Sequence, residues 1–313
     1  MNFQGLKVLV LGDVCLDMVT EGPSFRQSPE APVPVILNPS TTYSLGMAAN
    51  VAWNLHNLGA SVDYTFCIGQ DEYGNKFAEI IKSAMGPHKV YDNEDNAGTT
   101  VKHRIVANNQ QVARIDMENK LDVLQVESFF ESLRSKVYRG TKYDLIIISD
   151  YNKGIITKES WSIMKPLLYR LSDRFFIDTK KLNVIDFYEG MYIFPNKKEM
   201  DAIMEFNCCS TRNQLRREMD LDFIVETASH EGAFLYKNDG KIYHAPVFKS
   251  NVVDVTGCGD TFVAAFSLYY TKYNDKKTAL SFANYCCSKV IERKGTTPVL
   301  YREVRDFHDI KGF

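Results

Sequence analysis

The sequence predicts an α/β protein, a mostly parallel sheet with helices on both faces and a small β-sheet lid added to it. Three observations carry this expectation. Short runs rich in β-branched and aromatic residues alternate with longer amphipathic stretches. Such alternation lays strands side by side with helices crossing over them. Two extended stretches break that rhythm, as an inserted sheet does. The 313 residues, 45% hydrophobic and 24% charged, carry no internal repeat or low-complexity tract and can bury a large core, as an ordinary globular protein does.

Taken in order, buried strands are expected at Lys7–Leu11, Asp144–Ile148, Phe175–Ile177 and Tyr192–Phe194. Helices are expected at Ala48–Leu58, Tyr73–Met85, Val123–Val137, Lys158–Leu171 and Lys197–Phe206. Pro29–Ile36 and Thr99–Asp116 read as extended, partly exposed segments. Proline confines the first to an edge or a flap, and a flap can cover a site and exclude water. The chain is read as one domain over 1–313, with lid strands from about 14–45 and 98–117.

A net charge of -2 and a pI near 6.3 argue against a nucleic-acid coat or a polybasic membrane binder. The seven cysteines include no CxxC pair or interleaved histidine, so free thiols in a reducing compartment are expected rather than zinc or disulfides. The apolar run at the N-terminus is short and has no basic leader, and no stretch approaches the roughly 20 apolar residues of a membrane span. A cytoplasmic protein is the expectation.

The most informative segment is Asp254–Thr261, DVTGCGDT, which runs into the apolar helix FVAAFSLYYT. A small-residue loop entering a helix leaves backbone N–H groups unpaired at the positive end of the dipole, which suits an anion. Gly257 and Gly259 permit the close approach of such a cradle. Asp260 stands beside it in the first helical turn, placed to take a proton. The plainer alternative is a first-turn acid favoured by the dipole alone.

DVTGCGDT and its helix resemble the C-terminal signature of the PfkB family, whose fold is a doubly wound, ribokinase-like α/β domain with a β lid. GMAANVAWNLHNLGASVDYTFCIG matches the N-terminal signature at Gly46, Asn50, Ala52, Gly59 and Gly69, and GDVCLD matches the family's first strand and its substrate-binding acid, Asp17. The resemblance implies an ATP-dependent sugar kinase. Asp260 is then the base, with the amides of Gly257, Cys258 and Gly259 as the anion hole. Asn196 and Glu199 in FPNKKEM match the motif that holds Mg²⁺ through water. Thr227, Gly232 and Asn284 match positions near the nucleotide. Asp254, Thr256 and the backbone at Gly295 match a potassium site.

SPEAPVPV, NNQQVARID and SDYNKG, the last carrying Asp150 and Lys153, resemble heptose 7-phosphate kinases of lipopolysaccharide precursor synthesis. These phosphorylate the anomeric hydroxyl. Arg104, Arg114, Lys102, Lys153 and Lys180 are the candidate phosphate contacts, Arg104 first because its fork is bidentate. Met47 stands where these relatives have glycine, and Cys258 where alanine is usual. Many relatives continue into a nucleotidyltransferase domain with an HxGH-type motif, absent here, so the kinase half is expected. The expected partners are ATP and a sugar phosphate, and any homodimer is expected to form through the lid. Another sugar or nucleoside kinase of the family, or a silent scaffold, are the alternatives.

Overall fold

A computed structural model of the protein describes residues 2–86, 90–93 and 98–309. The chain opens with β1 (Lys7–Gly12) and then leaves the main body through β2 (Val14–Gly22) and β3 (Ser40–Met47). It returns through α1 (Ala48–Asn57), β4 (Ser61–Gly69), α2 (Glu72–Met85) and β5 (Val90–Asn93). A second excursion forms β6 (Val101–Ala107) and β7 (Gln110–Met117). Next come α3 (Glu127–Tyr138), β8 (Leu145–Asp150), α4 (Lys158–Leu171), β9 (Phe175–Thr179), α5 (Val184–Tyr188) and β10 (Tyr192–Ile193). The remainder is α6 (Lys197–Phe206), α7 (Arg212–Glu218), the strands β11 (Phe223–Thr227), β12 (Ala233–Lys237) and β13 (Ile242–Ala245), then α8 (Cys258–Tyr273), α9 (Lys276–Val290) and α10 (Tyr301–Val304).

The central sheet is parallel in every pair, in the order β10-β9-β8-β1-β4-β5. Its strands alternate between two cores, because successive side chains of a strand point to opposite faces. Val8, Val10, Leu145 and Ile147 face one core with α1, α2, α8 and α9. Leu9, Leu11, Ile146 and Ile148 face the other with α3, α4, α6 and α7. Helices cover both faces, as parallel sheets require. The strand order reverses between β1 and β8. That switch point, at the carboxyl ends of the strands, is where open α/β sheets place their ligands.

The two excursions form a separate mixed sheet, in the order β3-β2-β6-β7, with β2 antiparallel to β3 and parallel to β6. This is the lid. One expectation fails within it: Pro29–Ile36 is not a strand but a series of bends, tied by a single bridge between Gln27 and Pro34. Proline lacks the N–H that a ladder needs, and Ser40–Met47 pairs with β2 instead. The helix expected over Val123–Val137 divides into a short 3₁₀ turn and α3. A small antiparallel sheet of β11, β12 and β13 completes the fold.

Candidate active site

α8 starts differently from its neighbours. Side chains cap α2, α4, α6, α7 and α9. The N-cap of α8 is Gly257, in the left-handed region at φ 77°, with no side-chain cap. A Cβ there would stand 2.7 Å from the Asn50 amide nitrogen and 3.0 Å from Thr296, so only glycine fits both turn and neighbours. A Cβ on Gly259 would meet nothing within 4 Å. The helix therefore opens onto free space, which fits a bound anion. The expectation needs one correction, since the Cys258 amide already donates to the Val255 carbonyl at 3.2 Å. The turn that delivers the chain into the helix uses it.

Asp260 is buried to 6% exposure. Asn50, in the first turn of α1, donates from Nδ2 to its Oδ2 at 2.9 Å. The Tyr151 hydroxyl lies 3.1 Å from Asp260 Oδ1 and 2.9 Å from Asp178 Oδ2, bridging the two carboxylates. Burial first, then the charge of Asp178, push the Asp260 carboxyl up to about 7, against the hydrogen bonds from Asn50 and Tyr151. Two acids sharing one donor in a dry site favour keeping a proton between them. A group that ionises near neutrality is suited to act as a general base.

Asn50 is itself held. Asn54 donates to its Oδ1 at 3.1 Å, and the Thr261 hydroxyl and the Val299 amide donate to Asn54 Oδ1. Asp13 pins the opposite wall by accepting from the amides of Lys153 and Ile155. Burial lifts its carboxyl to about 6 in spite of those donors.

The lid meets this cluster through β2 and β6. Asp17 is buried, accepts from Arg104 Nη1 at 2.8 Å and from the Thr296 hydroxyl at 2.9 Å, and lies against Gly46 on β3. Lys102 Nζ lies 5.3 Å from the centroid of the Tyr151 ring, and Lys180 Nζ lies 5.1 Å from it. Several expected substrate contacts are otherwise engaged. Arg114 makes a bidentate pair with Asp116 at 2.7 Å. Lys153 pairs with Glu118 at 2.6 Å, and Lys180 with Glu199 at 2.5 Å. Asp150 is fully buried and bonded to Tyr188, Thr179 and the Asn152 amide, so it shapes the 151–153 turn rather than reaching the cleft.

The expected nucleotide residues stand around the small β11–β13 sheet. Asn196 and Glu199 form a reciprocal capping box at 2.9 and 3.0 Å, and Asn196 bridges to Thr227. Gly232 closes the turn after β11 by accepting from the Ala228 amide. Asn284 spends its amide on the carbonyls of Ala245 and Pro246, at 2.7 and 3.2 Å. The described residues contain no cluster of three or more metal-ligating side chains. Both oxygens of Glu199 are occupied, so this donor set fits Mg²⁺ held by waters and phosphate oxygens rather than a protein cage.

Asp254, Thr256 and Gly295 do come together. The Asp254 carboxylate accepts from the Thr256 amide and hydroxyl, at 2.9 and 2.6 Å, and from the Gly295 amide at 2.9 Å. Partial burial works against its charge, but these donors outweigh it and hold the Asp254 carboxyl below its ordinary value.

Residues 6–301 match the family described as pfkB family carbohydrate kinase. The chain belongs to that family. It is therefore a phosphotransferase with an alcohol group as acceptor. A similar curated protein is the bifunctional protein HldE of Nitratiruptor sp., 33% identical over 310 residues, covering 96% of this chain and 64% of that protein. The chain thus spans just under two thirds of that relative's length. Among solved structures, phosphofructokinase-2 from Escherichia coli in complex with potassium superposes with a TM-score of 0.75 at 17% identity, covering 97% of this chain and 98% of that one. Arabidopsis thaliana ribokinase complexed with ribose and ATP gives 0.70 at 16%, covering 98% and 100%. At these identities the pfkB kinase shares their ribokinase-like fold.

Tyr151 and Asp178 were not among the expected site residues. The signal was position alone, since each stands at the carboxyl end of a strand, one after β8 and one in β9.

Proposed function

We propose that this pfkB kinase transfers the terminal phosphoryl group of ATP to the anomeric hydroxyl of heptose 7-phosphate, in the synthesis of lipopolysaccharide precursors. The carrying observation is the Asp260 cluster, a buried carboxylate lifted to about 7 beside an uncapped helix start at the switch point of the sheet. Asp260 takes the proton of the attacking hydroxyl, which Asn50 and Asp17 hold in line. The α8 N-terminus receives the phosphoryl oxygens, supplying charge neutralisation where phosphoryl transfer needs it. Asn196, Thr227, Gly232 and Asn284 frame the nucleotide. Glu199 and Asn196 would hold Mg²⁺ through waters, and the ion would supply positive charge to the nucleotide phosphates. The oxygen-rich turn of Asp254, Thr256 and Gly295 suits a potassium ion that stiffens the anion loop. Two copies would associate through the lid.

Support for a phosphorylated acceptor comes from the lid. Among the described residues Lys102 makes no ion pair, and it lies over the ring that bridges the two carboxylates. Arg104 keeps four N–H donors beyond the one it gives Asp17. A second reading, a free sugar as acceptor, is favoured by the acids already paired with Arg104, Arg114 and Lys153, since those cations need no phosphate. Kinetics with heptose 7-phosphate, free heptose, fructose 6-phosphate and ribose separate the two. Lys102→Gln should lower kcat/KM for the sugar phosphate by roughly 10–100-fold, the worth of one charge-assisted hydrogen bond, and leave the free sugar unaffected. A free sugar as the better substrate ends the heptose phosphate assignment and leaves the kinase intact.

A further inference from the structure

The anion loop carries a second chemistry that phosphoryl transfer does not use. Cys258 is the first residue of α8, and its antiparallel neighbour α9 places Cys287 against it. The Cys287 thiol donates to the Cys258 backbone carbonyl at 3.3 Å, which seats the two residues against each other. Cys287 is enclosed at 7% exposure, whereas Cys258 is half-exposed beside the open front of Gly259. The pair thus combines a partly exposed cysteine with a hidden partner in contact with its backbone. The other adjacent cysteines, Cys208 with Cys209 and Cys286 with Cys287, are chain neighbours that bridge only with strain.

From this geometry we infer that Cys258 and Cys287 form a reversible, peroxide-driven thiol–disulfide switch that disables the anion cradle. In the first step the Cys258 sulfur attacks the O–O bond of hydrogen peroxide. Its proton goes to the departing oxygen, leaving Cys258 sulfenic acid and one water. In the second, the Cys287 sulfur displaces hydroxide from that sulfenic acid. The S–S bond forms, and the Cys287 proton and the hydroxide leave as a second water. Two thiols are oxidised and one peroxide is reduced, and a dithiol reductant reverses the balance.

The consequence follows from what each end is attached to. The end of α9 accepts the amides of Val253 and Asp254 at the Ile291 carbonyl, so it already supports the segment that leads into the loop. Joining the Cys258 sulfur to that of Cys287 pulls residues 257–259 towards α9. A displacement of about 1 Å can cost roughly 10²-fold in rate at a site that works by positioning. That effect on turnover rests on the kinase reading; the bond itself does not.

The test treats the reduced 313-residue chain with stoichiometric hydrogen peroxide and follows intact mass, mapped peptides and turnover together. The expected result is the loss of two hydrogens, a linked peptide joining Cys258 to Cys287, and a fall in turnover of roughly tenfold or more that dithiothreitol restores. Cys287→Ser keeps a donor for the Cys258 carbonyl and should match the reduced wild type before oxidation. After peroxide it should show no link and a 1,3-dione adduct on Cys258. Absence of the linked peptide in the wild type, or links confined to 208–209 or 286–287, overturns the switch. So does a linked protein with undiminished turnover. If the link forms and the reduced protein phosphorylates no sugar, the kinase reading fails and the redox pair stands.

Discussion

At the scale of single residues, the proposed chemistry turns on Asp260 and Tyr151. The Tyr151 hydroxyl lowers the carboxyls of both Asp178 and Asp260 by donating between them. Tyr151→Phe removes that donor, so both acids should hold their protons to higher pH. The acid limb of the kcat/KM profile should move upwards from near 7, with a loss of roughly fivefold at neutral pH that recovers in alkali, one net hydrogen bond being worth about 1 kcal/mol. A uniform loss with an unmoved profile would make Tyr151 a packing residue. Asp260 also links activity to stability. It ionises at about 7 in the folded chain and near 3.9 when unfolded. Between those values the native state holds the extra proton, so stability falls as pH rises through this window, by a few kcal/mol in all. Asp260→Asn removes that titration. Its melting temperature relative to wild type should climb between pH about 4 and about 7 and stay high above; a constant difference would mean that Asp260 ionises normally. Asp260 was legible from DVTGCGDT, because a carboxylate beside a small-residue helix start is a local pattern. Tyr151 and Asp178 were not, since only the order β9-β8-β1 brings them to α8.

At the scale of elements, tight turns at the strand ends hold the site walls. Gly154 follows β8 at φ +115°, and a Cβ there would fall 1.7 Å from the Leu121 carbonyl oxygen. The Leu121 amide donates to the Lys153 carbonyl at 2.8 Å, so the two segments cannot part cheaply. Gly154→Ala should cost roughly 2–5 kcal/mol, from backbone strain added to the clash, read as a lowered denaturation midpoint. A loss under about 0.5 kcal/mol, the range of ordinary surface changes, would show that the turn can yield. Met47 illustrates a strain that the sequence hinted at. It enters α1 at φ 57° with its side chain buried, at a position where the family resemblance leads one to expect glycine. The strands of the central sheet were readable from their apolar runs. The lid was harder, because Pro29–Ile36 and Ser40–Met47 are both extended in composition, and only pairing with β2 selects the second.

For the whole molecule, the parallel sheet and the lid divide the work. The sheet brings Gly12, Asp150 and Thr179 to one edge, and α8 points its uncapped start at that edge. The lid adds buried Asp17 paired with half-buried Arg104, and Lys102 against Tyr151. Alternation of strands and helices made the sheet legible, but the Arg104–Asp17 pair joins β6 to β2, a pairing that neither segment specifies alone. The central claim, a sugar-phosphate kinase driven by Asp260, is tested most directly by phosphorus NMR of ATP, Mg²⁺ and heptose 7-phosphate with the wild type and with Asp260→Asn. The account predicts an anomeric phosphate signal growing with ADP in the wild type, and a rate lowered by at least about 10²-fold in the variant. A variant that turns over at nearly the wild-type rate, or a wild type that makes no sugar phosphate bond, would contradict it.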